Sequence, residues 1–192
     1  MSSASLPKAP RIVPVDTSTI TDPDFAAALQ KTLLRDDGQP VNIFATLAHH
    51  PKMLDRFNRM GGFLLQRGLL PAREREIVIL RVGWNCQSVY EFGQHQIIGA
   101  RCGLTESEMR ALTKPVSEYS WSADDEALVL LADDLCRDNV VSDATWNKLV
   151  TRWNEAELIE LVIVAGFYRL VSGFLNTMGV ELDPGVPTWP EA

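Results

Sequence analysis

A short stretch near the middle of the chain carries the residues best suited to chemistry. It reads Asn85-Cys86-Gln87-Ser88-Val89-Tyr90-Glu91-Phe92-Gly93-Gln94-His95. Ser88, Glu91 and His95 stand at i, i+3 and i+7, so on a helix they share one face. A carboxylate one turn from an imidazole can fix its tautomer and raise its basicity, as a general acid–base pair needs. The same spacing fits a capped, solvated face with an i,i+4 Glu–His contact, and spacing by itself leans that way. Tyr90 and Phe92 read as core aromatics.

Other polar groups say less. Cys86, Cys102 and Cys136 are too few and too scattered for a disulfide framework, and without a Cys-x-x-Cys pair they signal neither a zinc ribbon nor a dithiol centre. Cys86 and Cys102 are expected as small buried apolar residues. His49-His50 precede Pro51, but no neighbouring carboxylate or cysteine completes a ligand set, so no metal is expected. Arg169, Ser172 and Asn176 form a polar stripe at i, i+3, i+7 on an otherwise apolar segment, to line a pocket or a subunit interface.

The elements that must position these residues are helical. Asp22-Pro23 is a capping side chain followed by proline at the first helical position, starting a helix to about Arg35. A second pattern spans 52–67, with Met53, Leu54, Phe57, Met60 and Leu64 on one face. Pro71 opens a third, with Glu74 and Glu76 in its early turns. Its run Ile77-Val78-Ile79-Leu80 could be strand or helix, and its helical flanks favour helix. Ser88 caps a helix to about Cys102, ended by Gly103, and Thr105-Glu106-Ser107-Glu108 is a capping box. Ser122 and Ser142 cap two more, the latter running through Leu149 and Trp153. A helix over 155–178, apolar nearly all round, ends at Gly179 and should be central to a core or an interface. The predicted class is all-α.

Composition narrows the function. The chain has 192 residues, with 25 acidic against 18 basic side chains and net charge −7. No basic block interrupts that balance, so no nucleic acid partner is expected. The N-terminus lacks an apolar signal region, and the longest apolar run, Leu161–Tyr168, is far short of the ~20 residues of a membrane span. The expectation is a cytoplasmic protein with no membrane partner.

Three segments in order, Arg75-Glu76-Ile77-Val78-Ile79-Leu80-Arg81-Val82, Tyr90-Glu91-Phe92-x-x-His95 and Gly103-Leu104-Thr105-Glu106-x-Glu108, resemble the carboxymuconolactone decarboxylase family, which overlaps the alkylhydroperoxidase D-like fold. The resemblance covers about residues 55–112, and 155–183, with Asn176 and Gly179-Val180-Glu181-Leu182, is similar to the family's closing segment. It implies an alkylhydroperoxidase D-like helical fold, with one domain over 23–183. Residues 1–22, rich in Ser, Pro and Thr without a period, read as an extended arm, and Pro184, Pro187 and Pro190 mark a Pro-rich tail over 184–192.

The family's redox members carry Glu, then Cys-x-x-Cys, then His four residues on. Counted back from His95, the thiol positions fall on Ser88 and Glu91 and the upstream glutamate on Glu76. A dithiol peroxidase needs a second thiol to resolve the first, so the resemblance points away from that branch. The decarboxylase-like branch implies no cofactor. Losing CO₂ from an unsaturated carboxylactone leaves a dienolate, which needs a held carboxylate, a donor to the oxyanion and a returned proton. His95 is the candidate acid, and Glu91 or Glu76 its orienter. Ser88 or Tyr90 would be the hydroxyl donor, and Arg81 or Arg169 the arginine for the substrate carboxylate. The resemblance also implies a homotrimer or homohexamer. A helical assembly protein without catalysis is the alternative.

Overall fold

The computed structural model describes residues 5–190. Among these, the regular structure is helical: α1 Pro23–Leu29, α2 Asn42–Leu47, α3 Pro51–Gln66, α4 Ala72–Asn85, α5 Val89–Arg101, α6 Glu106–Ala111, α7 Ala123–Asp138, α8 Asp143–Leu149 and α9 Glu155–Met178. The described residues gather into two compact units. The first holds the residues to Arg67 with Leu175–Gly185, and the second holds Gly68–Phe174 with the residues from Val186.

In the first unit, residues 5–22 of the arm carry bends and a 3-10 turn at Thr17–Thr19 but no α-helix. Backbone bonds pin it, Arg11 N to Met178 O at 2.8 Å and Val15 N to Ala45 O at 3.0 Å. The Asp22 side chain accepts from the Asp24 and Phe25 amides to start α1. The helix stops at Leu29 rather than near Arg35: the next residues form turns, and Leu34 then pairs antiparallel with Pro40 around Gly38, whose φ of +78° is a left-handed conformation open to glycine.

Helix α2 has no signal in the residue pattern. It has no side-chain cap, and is held from outside by Asp183, which accepts from the Asn42 amide at 2.9 Å. The two adjacent histidines have structural roles. His50 caps α3 by accepting from Met53 N, and His49 Nε2 meets Val13 O at 2.9 Å.

The second unit is built around α4. Ile77, Val78, Ile79, Leu80 and Val82 are all fully buried, so this helix is enclosed on every side and its apolar run needs no strand. Polar clamps tie it to its neighbours. Arg73 binds both Glu108 and Asp125, and Asn85 donates to Asp133 at 2.8 Å. The tail packs on the same unit, with Trp189 against Trp84 and Phe92, each at 5.1 Å between ring centroids. The Gly93 position lies so close to this tail that an added Cβ would stand 2.2 Å from Pro187 O. Helix α8 ends at Leu149, and Trp153 instead lies buried beyond it, under the Arg152 guanidinium.

Along α9, Leu161, Val164, Ala165, Tyr168 and Val171 face inward, while Ile159, Ile163 and Leu170 are 66%, 43% and 59% exposed. By length and composition this helix could cross a membrane, and half of the relevant stretch is buried inside the protein. The eight-residue run Leu161–Tyr168 understates it, because averaging along the helix absorbs the isolated Arg169 and Ser172.

Candidate functional site

Helices α4 and α5 of the second unit bring Glu76 and His95 together. The Glu76 Oε2 atom lies 2.6 Å from His95 Nδ1, and Glu91 Oε1 lies 3.1 Å from His95 Nε2. Glu76, Glu91 and His95 are respectively 0%, 4% and 5% exposed, so this is not the solvated face that spacing alone would allow. The Glu91–His95 contact follows from the i,i+4 spacing on α5. The Glu76 contact requires two helices to pack.

Both imidazole nitrogens face carboxylates, so both act as donors when the ring is protonated. Burial alone would lower the His95 pKa. The charge and hydrogen bond of Glu76, joined by those of Glu91, outweigh it and push the value up to about 10. The arrangement favours an imidazolium between two carboxylates. Arg75 adds a second cation, donating to Glu76 Oε1 from Nε at 3.1 Å and from Nη2 at 3.0 Å. With His95 protonated, two positive and two negative groups balance, as buried charges must. The Tyr168 ring meets His95 edge-on at 5.0 Å. Its hydroxyl pKa is raised well above its usual value by burial and then by Glu91 and Glu76, with Arg75 opposing.

Ser88 precedes α5, but its hydroxyl does not cap the helix, and its Oγ is buried with no hydrogen-bond partner among the described residues. Such a group costs free energy unless something fills the position. Tyr90 is buried on α5, about 140° around the helix from His95 at 3.6 residues per turn.

Arg81 and Arg169, expected to hold a substrate carboxylate, are instead engaged in bonds between helices. Arg81 donates to Asp133 at 2.6 and 2.9 Å and to the Leu112 and Lys114 carbonyls at 2.8 and 2.7 Å. Arg169 holds the end of α7 through Leu135 O at 3.0 Å and through Asn139. Both are structural fasteners, and neither contacts Glu76 or His95. The arginine at the site is Arg75, which sequence reasoning passed over despite its place next to Glu76. Tyr168 was passed over too, as one aromatic in an apolar run.

A cleft of about 380 Å³ opens beside α5 and α6, lined in part by Gln96, Ile97, Met109, Arg110 and Pro187. It does not include the Glu76–His95 pair, although Gln96 directly follows His95 in the chain. Among the described residues, no cluster of three or more His, Cys, Asp and Glu is arranged to hold a metal ion.

Residues 51–134 match the profile of the carboxymuconolactone decarboxylase family, in agreement with the resemblance carried by Arg75–Val82, Tyr90–His95 and Gly103–Glu108. The 155–183 segment lies outside that match. No curated protein sequence matches the chain. Among solved structures, an uncharacterized peroxidase-related protein from Ralstonia eutropha JMP134, described as an alkylhydroperoxidase AhpD core, superposes with TM-score 0.78 at 18% identity over 93% of this chain and 94% of its own. A peroxidase-related protein from Silicibacter sp. TM1040 gives TM-score 0.76 at 16% identity over 95% and 97%. A variant of the debrominase Bmp8 bound to 2,3,4-tribromopyrrole gives 0.69 at 11% identity over 90% and 91%. At these identities the shared property is the AhpD-like helical fold.

Proposed function

We propose that this protein is a cofactor-free acid–base enzyme that removes CO₂ from a small carboxylated lactone or related cyclic carbonyl acid. The observation that carries this is His95 held between Glu76 and Glu91, because it supplies a buried, oriented proton donor. On loss of CO₂, the electron pair spreads into the lactone carbonyl as a dienolate. His95 turns its Nε2–H from Glu91 to the substrate carbon and returns the proton, while the shorter bond from Nδ1 to Glu76 keeps the ring in place. Arg75, with Nη1 left over after its two bonds to Glu76, takes the carboxylate in place of Arg81 or Arg169. The Ser88 hydroxyl donates to the developing oxyanion. The debrominase neighbour was solved with a small ring compound, which supports by analogy a small cyclic substrate on this fold.

A panel of carboxylactones, with evolved CO₂ as readout, tests this directly. Wild type should turn over at least one of them, and a folded His95→Ala variant should lose roughly 10²–10⁴ in kcat on it. Absence of CO₂ release across the panel by folded wild type would overturn the assignment in favour of a helical assembly protein, and wild-type turnover by His95→Ala would remove His95 from the mechanism.

A further inference from the structure

The cleft beside α5 and α6 is walled by the chain's own tail, which is locked onto α5. Gln96 Nε2 donates to Thr188 O at 2.7 Å. Trp189 sits against Trp84 and Phe92, at 5.1 Å from each ring. A Cβ at Gly93 would stand 2.2 Å from Pro187 O, so only glycine lets the two backbones come this close. That approach brings Pro187 and Pro190 to the edge of the cleft.

The rest of the lining is apolar and charged in turn. Ile97 of α5 and the buried Met109 of α6 supply the apolar part. The charges are Glu106 and Arg110, at i and i+4 on α6 with the acid nearer the N-terminus, the order in which such pairs ordinarily bond. Here they do not. Among the described residues neither side chain holds an ion pair or a hydrogen bond, while Glu108 between them is taken by Arg73 and by the Thr105 amide. The space, about 380 Å³, is at the small end of ligand pockets, which run from about 300 to 1,000 Å³.

We propose that this cleft binds a free α-amino acid with an apolar side chain. Its carboxylate goes to the Arg110 guanidinium, its ammonium to the Glu106 carboxylate, and its side chain between Ile97, Met109 and the two proline rings. The Cβ atoms of an i,i+4 pair lie about 5–6 Å apart. An α-amino acid carries both charges on one carbon, so it bridges that gap with a charge-assisted bond at each end. A plain anion would meet Glu106 as a like charge, and a plain cation would meet Arg110. The pair thus selects a ligand that carries both signs, and the apolar lining selects its side chain. Flexible Met109 adapts to the shape of that side chain. The cleft excludes Glu76 and His95, so this ligand is not the substrate of the reaction proposed above, and binding is independent of it.

Equilibrium dialysis of the full chain against radiolabelled L-leucine tests this. Leucine should bind at one site per chain. Two competitors remove one charge each, 4-methylpentanoate lacking the ammonium and 3-methylbutylamine lacking the carboxylate. Each should bind more weakly than leucine by roughly tenfold or more, the scale of one charge-assisted bond lost. Glu106→Gln and Arg110→Gln change exposed side chains and should each weaken leucine by the same factor at an unchanged melting temperature. Gly93→Ala pushes on the tail and should also weaken it. If that variant does not fold, the two charge variants and the competitors decide. No leucine bound at millimolar concentration, a competitor that matches leucine to better than that factor, or charge variants that keep wild-type affinity would each overturn the proposal.

Discussion

Glu76 Oε2 stands 2.6 Å from His95 Nδ1, closer than Glu91 Oε1 at 3.1 Å from the opposite nitrogen. The imidazole is thus held on one side by a carboxylate from another helix and on the other by a carboxylate from its own. In the mechanism proposed above, the tighter contact orients the ring, and the N–H facing Glu91 is the one delivered to the substrate.

That asymmetry separates the two glutamates kinetically. His95→Gln keeps a hydrogen-bond donor but cannot titrate, so it should lose nearly as much kcat as His95→Ala, roughly 10²–10⁴. Glu91→Gln preserves shape and removes one charge. If Glu91 and His95 act as one unit, the double variant should cost little more than His95→Ala alone. Steady-state kinetics and melting temperatures from the same preparations check this, and full additivity would contradict it.

The raised His95 pKa makes stability depend on pH with a defined sign. The folded value, about 10, lies above the ordinary 6.5, so the folded state binds the proton more tightly than the unfolded one. The stabilisation is present in full below about 6.5 and is lost as pH rises toward about 10. The melting temperature of wild type relative to His95→Gln should therefore fall steadily across that window. A difference that stays flat or grows would show that His95 is neutral in the folded protein.

Arg81 and Arg75 should fail in different ways. Arg81→Ala strips Asp133 of its bidentate partner and orphans two carbonyls, a loss on the order of 3–5 kcal/mol for a buried pair broken on one side. Denaturant titration should register it as stability. Arg75→Lys should mainly raise KM for the carboxylated substrate, because an ammonium cannot copy the guanidinium fork.

Acid–base turnover should not depend on thiols. Replacing Cys86, Cys102 and Cys136 together by Ala should leave CO₂ release within about tenfold of wild type, with some stability lost at half-buried sites. A folded but inactive triple variant would tie the thiols to this reaction.

The exposed stripe Ile159, Ile163 and Leu170 on α9 should be covered by further copies of the chain, as a trimer or hexamer. Light scattering should give a multiple of the 21.4 kDa chain, and Ile163→Asp with Leu170→Asp should reduce it. A wild-type monomer at micromolar concentration would refute this.

What was legible in the residues was local. The caps at Asp22, Thr105, Ser122 and Ser142 act within one turn, and the structure places side-chain caps at all four. The span 155–178 and the Glu91–His95 contact depend only on helical periodicity, which any single segment displays. Short α2 was invisible because Asp183, far along the chain, supplies what its own residues lack. Glu76 was reachable only through the family resemblance. Among Arg75, Arg81 and Arg169, sequence offers three equivalent cations, and only the packing of α4 decides which one meets Glu76. Side-chain chemistry is written residue by residue, but which groups share a buried space is set by how helices pack, and separation along the chain carries no information about that.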